Sequence, residues 1–182
     1  LSERFEVIVW RDGGMYRQQF THGRPATDLV RIGDAPKDKP HGTRVRFLPD
    51  YTIFKDEDES GKPIAFDPAV IARALAQRAY LNPGLSITFF DESSGTTQTW
   101  QAKDFGEILT LFAPSRPPLT GVITFSGTEE TSEGPVEIQV AMGVWEEGAG
   151  EVRSFANTVP TPQGGTHEQG IKTAYLKALN KY

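Results

Sequence analysis

Apolar and polar residues alternate from the start of the chain. Phe5-Glu-Val-Ile-Val-Trp10 and Met15-Tyr-Arg-Gln-Gln-Phe20 are β-branched and aromatic runs around Arg11-Asp12-Gly13-Gly14. Glycine accepts the positive φ of tight turns, so this pattern predicts a β-hairpin. Thr21-His-Gly23 reads as a second turn, 29–32 as a short strand, and 33–42 as a polar, proline-studded loop. Thr43-Arg-Val-Arg-Phe47 alternates as a half-buried strand should. After a charged loop over 55–62, Asp67 can cap a helix with Pro68 in its first turn. Val70, Ile71, Ala74, Leu75 and Ala79 form its apolar face, and Asn82-Pro83-Gly84 stops it. Residues 85–90 and 97–101 then pair around Ser93-Ser-Gly95, giving a mostly antiparallel sheet with one long helix laid on it.

A second unit is expected from about 104. A short amphipathic helix (Phe105, Ile108, Leu109, Phe112) leads to strands at 122–125, 136–145 and 151–157. Thr166 can cap a closing helix whose Ile171, Ala174, Tyr175, Ala178, Leu179 and Tyr182 form one stripe. Strand, strand, strand, helix is an α+β order, compatible with a crossover.

Composition narrows the classes. The 182 residues contain no cysteine, which excludes a disulfide framework, a zinc ribbon and a thiol nucleophile. No apolar run approaches the ~20 residues a spanning helix needs. The charged, alternating first twelve residues do not read as a secretory signal, and the chain is expected in the cytoplasm. It opens on Leu-Ser-Glu-Arg without a methionine, which reads as a fragment. Residues 1–103 carry 14 basic and 14 acidic side chains, while 104–182 carry 5 and 10, so the second part holds the whole net charge of −5. That balance argues against a broad nucleic-acid footprint. Locally the sign reverses: Lys172, Lys177 and Lys181 face only Glu168 in the last seventeen residues. From pattern alone the preferred reading is a solvated helix surface, with lysines near its C-terminus favoured by the helix dipole.

Candidate chemistry is sparse. Ser60-Gly61-Lys62 lacks the upstream glycine and the following hydroxyl of a phosphate-binding loop. His22, His41 and His167 are far apart, and no nucleophile elbow exists. Glu129-Glu130 and Glu146-Glu147 read as surface turns. Gly164-Gly165-Thr166-His167 is more informative: two glycines allow a tight turn, and the amides of a helix start can hold an anion. A plain capped helix start fits the same residues.

Taken together, these segments resemble a known family. Arg11-Asp-Gly-Gly-Met-Tyr-Arg17, Gly42-Thr-Arg-Val-Arg-Phe-Leu-Pro-Asp50, Arg78-Ala-Tyr-Leu-Asn-Pro-Gly84 and Ile87-Thr-Phe-Phe-Asp91 resemble the ATPase region of type IIA topoisomerase B subunits. Ser154-Phe-Ala-Asn157, Pro162-Gln-Gly-Gly-Thr-His167 and Ala178-Leu-Asn-Lys-Tyr182 are similar to the transducer of the same subunits.

The resemblance implies an α+β chain in two parts. Residues 1–103 would be the C-terminal half of a GHKL-type ATP-binding domain, its sheet carrying one helix. Residues 104–182 would open a transducer with a fold like ribosomal protein S5. It further implies ATP and magnesium in the full-length subunit, closure of two B subunits around DNA, and a topoisomerase A subunit as partner.

Site residues follow position by position. Thr43 matches the hydroxyl lining the adenine pocket, and Arg11 matches an arginine at the rim where aminocoumarin inhibitors bind; an exposed hairpin arginine is its plain alternative. Lys172 matches a basic residue facing the DNA cavity. Gly164, Gly165, Thr166 and His167 belong to a motif without an assigned role. No catalytic or metal-binding residue is assigned, because the general base, the magnesium ligand and the γ-phosphate lysine of relatives fall outside the matching motifs. The chain alone is therefore expected to bind no nucleotide tightly and to hydrolyse none. The competing readings are a non-catalytic α+β interaction module and another GHKL ATPase of mismatch-repair or chaperone type.

Overall fold

The computed structural model describes residues 1–55, 62–113, 117–146 and 150–181. Most of the charged loop expected over 55–62, and Tyr182 of the expected stripe, lie outside the described residues. The chain forms two compact units, Leu1–Phe66 and Asp67–Tyr182.

The first unit is an antiparallel sheet of β1 (Ser2–Arg11), β2 (Gly14–Thr21), β3 (Arg24–Pro25), β4 (Val30–Asp34) and β5 (Gly42–Pro49). β1 lies between β2 and β5, and β3 and β4 both pair with β2. The first hairpin closes through Asp12 (φ 52°) and Gly13 (φ 75°), a two-residue turn with both φ positive. His22 (φ 46°) and Gly23 (φ 77°) repeat that device between β2 and β3.

Phe5 meets Phe20 edge to face at 5.9 Å, and Phe47 meets Phe66 at 6.3 Å, on one side of the sheet. The expectation of a half-buried β5 is corrected here: Val45 and Phe47 are 53% and 55% exposed. The unit's described residues contain no helix to cover that side, so alternation set which way the side chains point but not whether they are buried.

In the second unit α1 (Pro68–Leu81) starts as its cap predicts. Asp67 Oδ1 accepts the amides of Ala69 at 2.8 Å and Val70 at 3.3 Å. At the other end Asn82 Nδ2 donates to the Arg78 carbonyl, and Gly84 (φ 90°) donates its amide to Ala102. The buried positions are Ala76 and Ala79, whereas Val70 is exposed. Ala79 of the expected face is thus buried and Ile71, Ala74 and Leu75 are half-buried, with small residues allowing close approach to β6 (Ser86–Asp91), β7 (Thr96–Gln101) and the 3-10 helix Phe105–Leu111. β6 and β7 form their own two-stranded sheet, so the helix lies on that hairpin.

The amphipathic segment after 104 is a single 3-10 stretch. Asp104 caps the Gly106 amide at 2.8 Å, and at seven residues the segment is longer than the three or four usual for i→i+3 geometry. Ile108 is buried at 3% exposure.

Two strand expectations change. β8 (Ile123–Thr131) runs six residues past the expected end, because Gly127 simply pairs opposite Ile138 and the turn comes only at Ser132-Glu133 before Gly134, where β9 (Gly134–Met142) begins. Glu129 and Glu130 therefore lie in a strand, not in a turn. The strand expected over 151–157 reduces to β10 (Phe155–Ala156), paired with β11 (Val159–Pro160). Asn157 (φ 48°) and Thr158 (φ 69°) reverse the chain at once, and the left-handed conformation is costly for a β-branched threonine. α2 (Thr166–Leu179) closes the chain with no buried residue.

Candidate functional site

Two groups of residues emerge, one in each unit. In the first, Thr43 on β5 lies opposite Val9 on β1, and Arg11 is two residues further along β1. Opposed residues of an antiparallel ladder share a face and i, i+2 neighbours return to it, so Arg11 and Thr43 stand diagonally on one face, ~7–8 Å apart. Val7, Val9 and Val45 share that face with Tyr16 and Gln18 of β2, so an apolar strip runs beside the Thr43 hydroxyl and ends, at the hairpin, in one guanidinium. Arg11 is mostly exposed and its Nε lies 3.2 Å from Asp12 Oδ2. An apolar strip flanked by a few hydrogen-bonding groups suits one side of a heterocyclic base. Among the described residues no group of three metal-ligating side chains occurs.

The second group surrounds Gly164-Gly165-Thr166-His167. Gly164 (φ 72°) closes a turn by donating its amide to the Thr161 carbonyl at 2.8 Å. Gly165, extended, is the helix cap, and it provides no side-chain cap bond. The expectation that Thr166 caps the helix is corrected: Thr166 is the first helical residue. A Cβ on Gly165 would sit 2.7 Å from the His167 ring, so the glycine is needed for the ring to fold back.

Glu168 joins the group together. Its Oε2 accepts from Ser154 Oγ at 2.9 Å and its Oε1 from Lys172 Nζ at 2.5 Å. Ser154 and Thr161 share a 2.7 Å hydroxyl contact, and Thr161 Oγ1 meets His167 Nε2 at 3.3 Å. The β10–β11 hairpin is thereby fastened to the first turn of α2. That turn also favours a carboxylate through the helix dipole.

Sequence reasoning assigns no role to Ser154, Thr161 or Glu168. Their only signal is the Glu168–Lys172 spacing of four. His22 is exposed in the turn between β2 and β3, and from there its Nδ1 meets the buried Asp50 at 3.1 Å. His41 is exposed.

Three carboxyls are held below their ordinary range. Asp50 is lowered by the Thr52 hydroxyl and amide and then by His22. Asp91 is lowered by the hydroxyls of Ser94 and Ser93. Glu168 is lowered by its bond from Lys172, then by Ser154. In each case the unfolded chain binds the proton more readily, so the stabilisation is present above the unfolded values near ~4 and is lost as pH falls through the folded ones. Urea unfolding should therefore give lower stability at pH 3 than at pH 6, and Asp50→Asn should flatten that dependence; an identical pH slope in the variant would refute this assignment.

Known proteins share both the sequence and the fold. Residues 104–182 match the DNA gyrase B family. The whole chain aligns with the DNA gyrase B subunit of Thermotoga maritima at 35% identity, covering 28% of that protein. It aligns equally completely with the DNA topoisomerase 4 B subunit of Streptococcus pneumoniae at 33% identity, covering 27%. The chain thus spans little more than a quarter of these relatives.

Among solved structures, the 43K ATPase domain of Thermus thermophilus gyrase B in complex with an aminocoumarin superposes with a TM-score of 0.82 and 32% identity. It is matched over all of this chain and 47% of its own. The B-subunit of the DNA gyrase from Myxococcus xanthus gives 0.85 and 30%, over 50% of its own length. Gyrase and topoisomerase IV subunits match alike, and by sequence and fold together the chain is similar, over its whole length, to B subunits of both DNA topoisomerases.

Proposed function

We propose that these residues form part of the ATPase and transducer region of a type II topoisomerase, in which ATP-driven closure of two B subunits passes one DNA duplex through another. The observation that carries this reading is the end-to-end match to gyrase B structures at TM-scores of 0.82 and 0.85. Residues 1–103 are the C-terminal part of the ATP-binding domain and 104–182 the first part of the transducer. The family match beginning at residue 104 supports that division, although the compact units part after Phe66.

Thr43 and Arg11 contribute a hydroxyl and a rim charge to one wall of the adenine pocket, and an aminocoumarin would use the same wall. Lys172 faces captured DNA. ATP and magnesium serve the complete subunit, and the other nucleotide and metal contacts come from outside these residues. The partners are an A subunit of the GyrA or ParC type, a second B subunit and double-stranded DNA, with no membrane and a cytoplasmic location. No helix of the described residues is long and apolar enough to cross a bilayer.

The test is a linking-number assay. The complete subunit with its A partner should change plasmid supercoiling only with ATP and lose that activity to an aminocoumarin, while the 182-residue chain alone should turn over no ATP above a blank. A linking-number change that ATP leaves unaltered would overturn the topoisomerase reading. Turnover by the chain alone would overturn the division of the site.

A further inference from the structure

The sheet of the first unit sorts its arginines by side. Arg17 and Arg44 both lie opposite Ile8, Arg46 opposite Glu6, Arg4 opposite Thr21 and Leu48, and Arg24 opposite Thr21. All five therefore share the face away from Thr43, together with Trp10. The one strand carboxylate placed with them by this register is Glu6, already bonded to Gln19 Nε2 at 2.8 Å. On the Thr43 side, Arg11 and Arg31 are paired with Asp12 and Asp34.

Among the described residues only Arg4 of the five has an ion-pair partner, Glu3 at 3.8 Å, and the Nε of Arg17 is buried without a hydrogen bond. Arg4, Arg24, Arg44 and Arg46 are exposed. A segment whose composition is neutral thus carries a basic face.

We propose that this face is a docking surface for duplex DNA that grips the phosphate backbone, a second contact besides Lys172. The proposal rests on the topoisomerase reading for the presence of DNA, and on charge and geometry for the place. Arg44 and Arg46 stand ~6.8 Å apart along β5, about two phosphate rises of one DNA strand, and Arg17 lies two strands over at ~9.6 Å. A regularly repeated polyanion answers such a spread, whereas a lone acidic side chain meets one arginine at a time. The arginines stand on a sheet surface rather than in a reading helix, which suits backbone contact without sequence preference.

The experiment is fluorescence anisotropy of the 182-residue chain with a duplex of about 30 base pairs, titrated between about 50 and 200 mM salt. Replacing both exposed β5 arginines, Arg44→Gln with Arg46→Gln, should lower the slope of log K against log salt by about 1.8, since each phosphate contact contributes about 0.9. Arg44→Lys with Arg46→Lys should keep the slope, because a phosphate contact survives as a point charge. Circular dichroism establishes that the variants fold.

An unchanged slope in the glutamine variant, absence of DNA binding by the chain at low salt, or tighter binding of polyglutamate than of DNA each overturns the proposal. If binding depends only on Lys172 and Lys177, the basic face is refuted while the topoisomerase reading stands. If the basic face binds as expected but the complete subunit leaves linking number unchanged, the topoisomerase reading fails instead.

Discussion

Truncating Ile108 to alanine should cost the second unit about 2–5 kcal/mol of unfolding stability, the range for large-to-alanine changes in a core. The buried apolar residues among those described are Ala76, Ala79, Ala102 and Ile108. Three of the four are already alanines, so Ile108 is the one large side chain among them. It sits in the 3-10 helix, which packs against α1 and β9. Gly106 nearby has no room to compensate: a Cβ there would stand 2.9 Å from side-chain atoms of Val122 and Thr124. With so little buried, a loss of this size is a large share of the ~5–15 kcal/mol typical of a domain. Urea denaturation followed by tryptophan fluorescence would measure it. A loss below about 1 kcal/mol, the scale of an ordinary surface change, would show that the unit's stability lies elsewhere.

Reversing the charge at Lys172, placed in the complete subunit, should impair DNA-stimulated ATP hydrolysis more than basal hydrolysis. The lysine is 54% exposed and is turned back onto Glu168, which Ser154 holds from the other side. Lys172→Glu would remove that partner and place two carboxylates four residues apart, a repulsive spacing on a helix. A charge-assisted hydrogen bond to phosphate contributes about 1.5–3 kcal/mol, so its removal should weaken DNA binding roughly 10–100-fold. The variant should also lose some stability, because Glu168 is only 16% exposed and would lose its cation, so thermal unfolding is measured beside the two rates. Lys172→Arg should retain the stimulation. Equal loss of basal and stimulated rates would remove Lys172 from the DNA cavity.

Much of the local structure is legible in the chain. The Asp12-Gly13 turn, the Asp67-Pro68 helix start and the Asn82-Pro83-Gly84 stop are local signals, set by φ preferences and by one carboxylate reaching its own amides. Longer-range features are not. Gly127 has the composition of a strand terminus yet is paired, since only the partner strand decides whether a glycine breaks a ladder. The short β10 ends at two left-handed residues that composition does not announce. The Ser154, Thr161 and Glu168 bonds join positions up to fourteen residues apart, and no spacing rule connects them.

By itself the sequence carried the resemblance to topoisomerase B subunits and the α+β class, and it nominated Thr43, Arg11 and Lys172, because motifs and turn chemistry are written in order along the chain. Charge shows the limit of that reading. Counted in sequence, residues 1–103 are balanced at 14 basic and 14 acidic. Only the register of β1, β2 and β5 decides that Arg17, Arg44 and Arg46 share one side. Strand pairing aligns residues distant in the chain, and a two-residue period then assigns each side chain to a face, so a neutral sequence folds into a sheet with one basic surface.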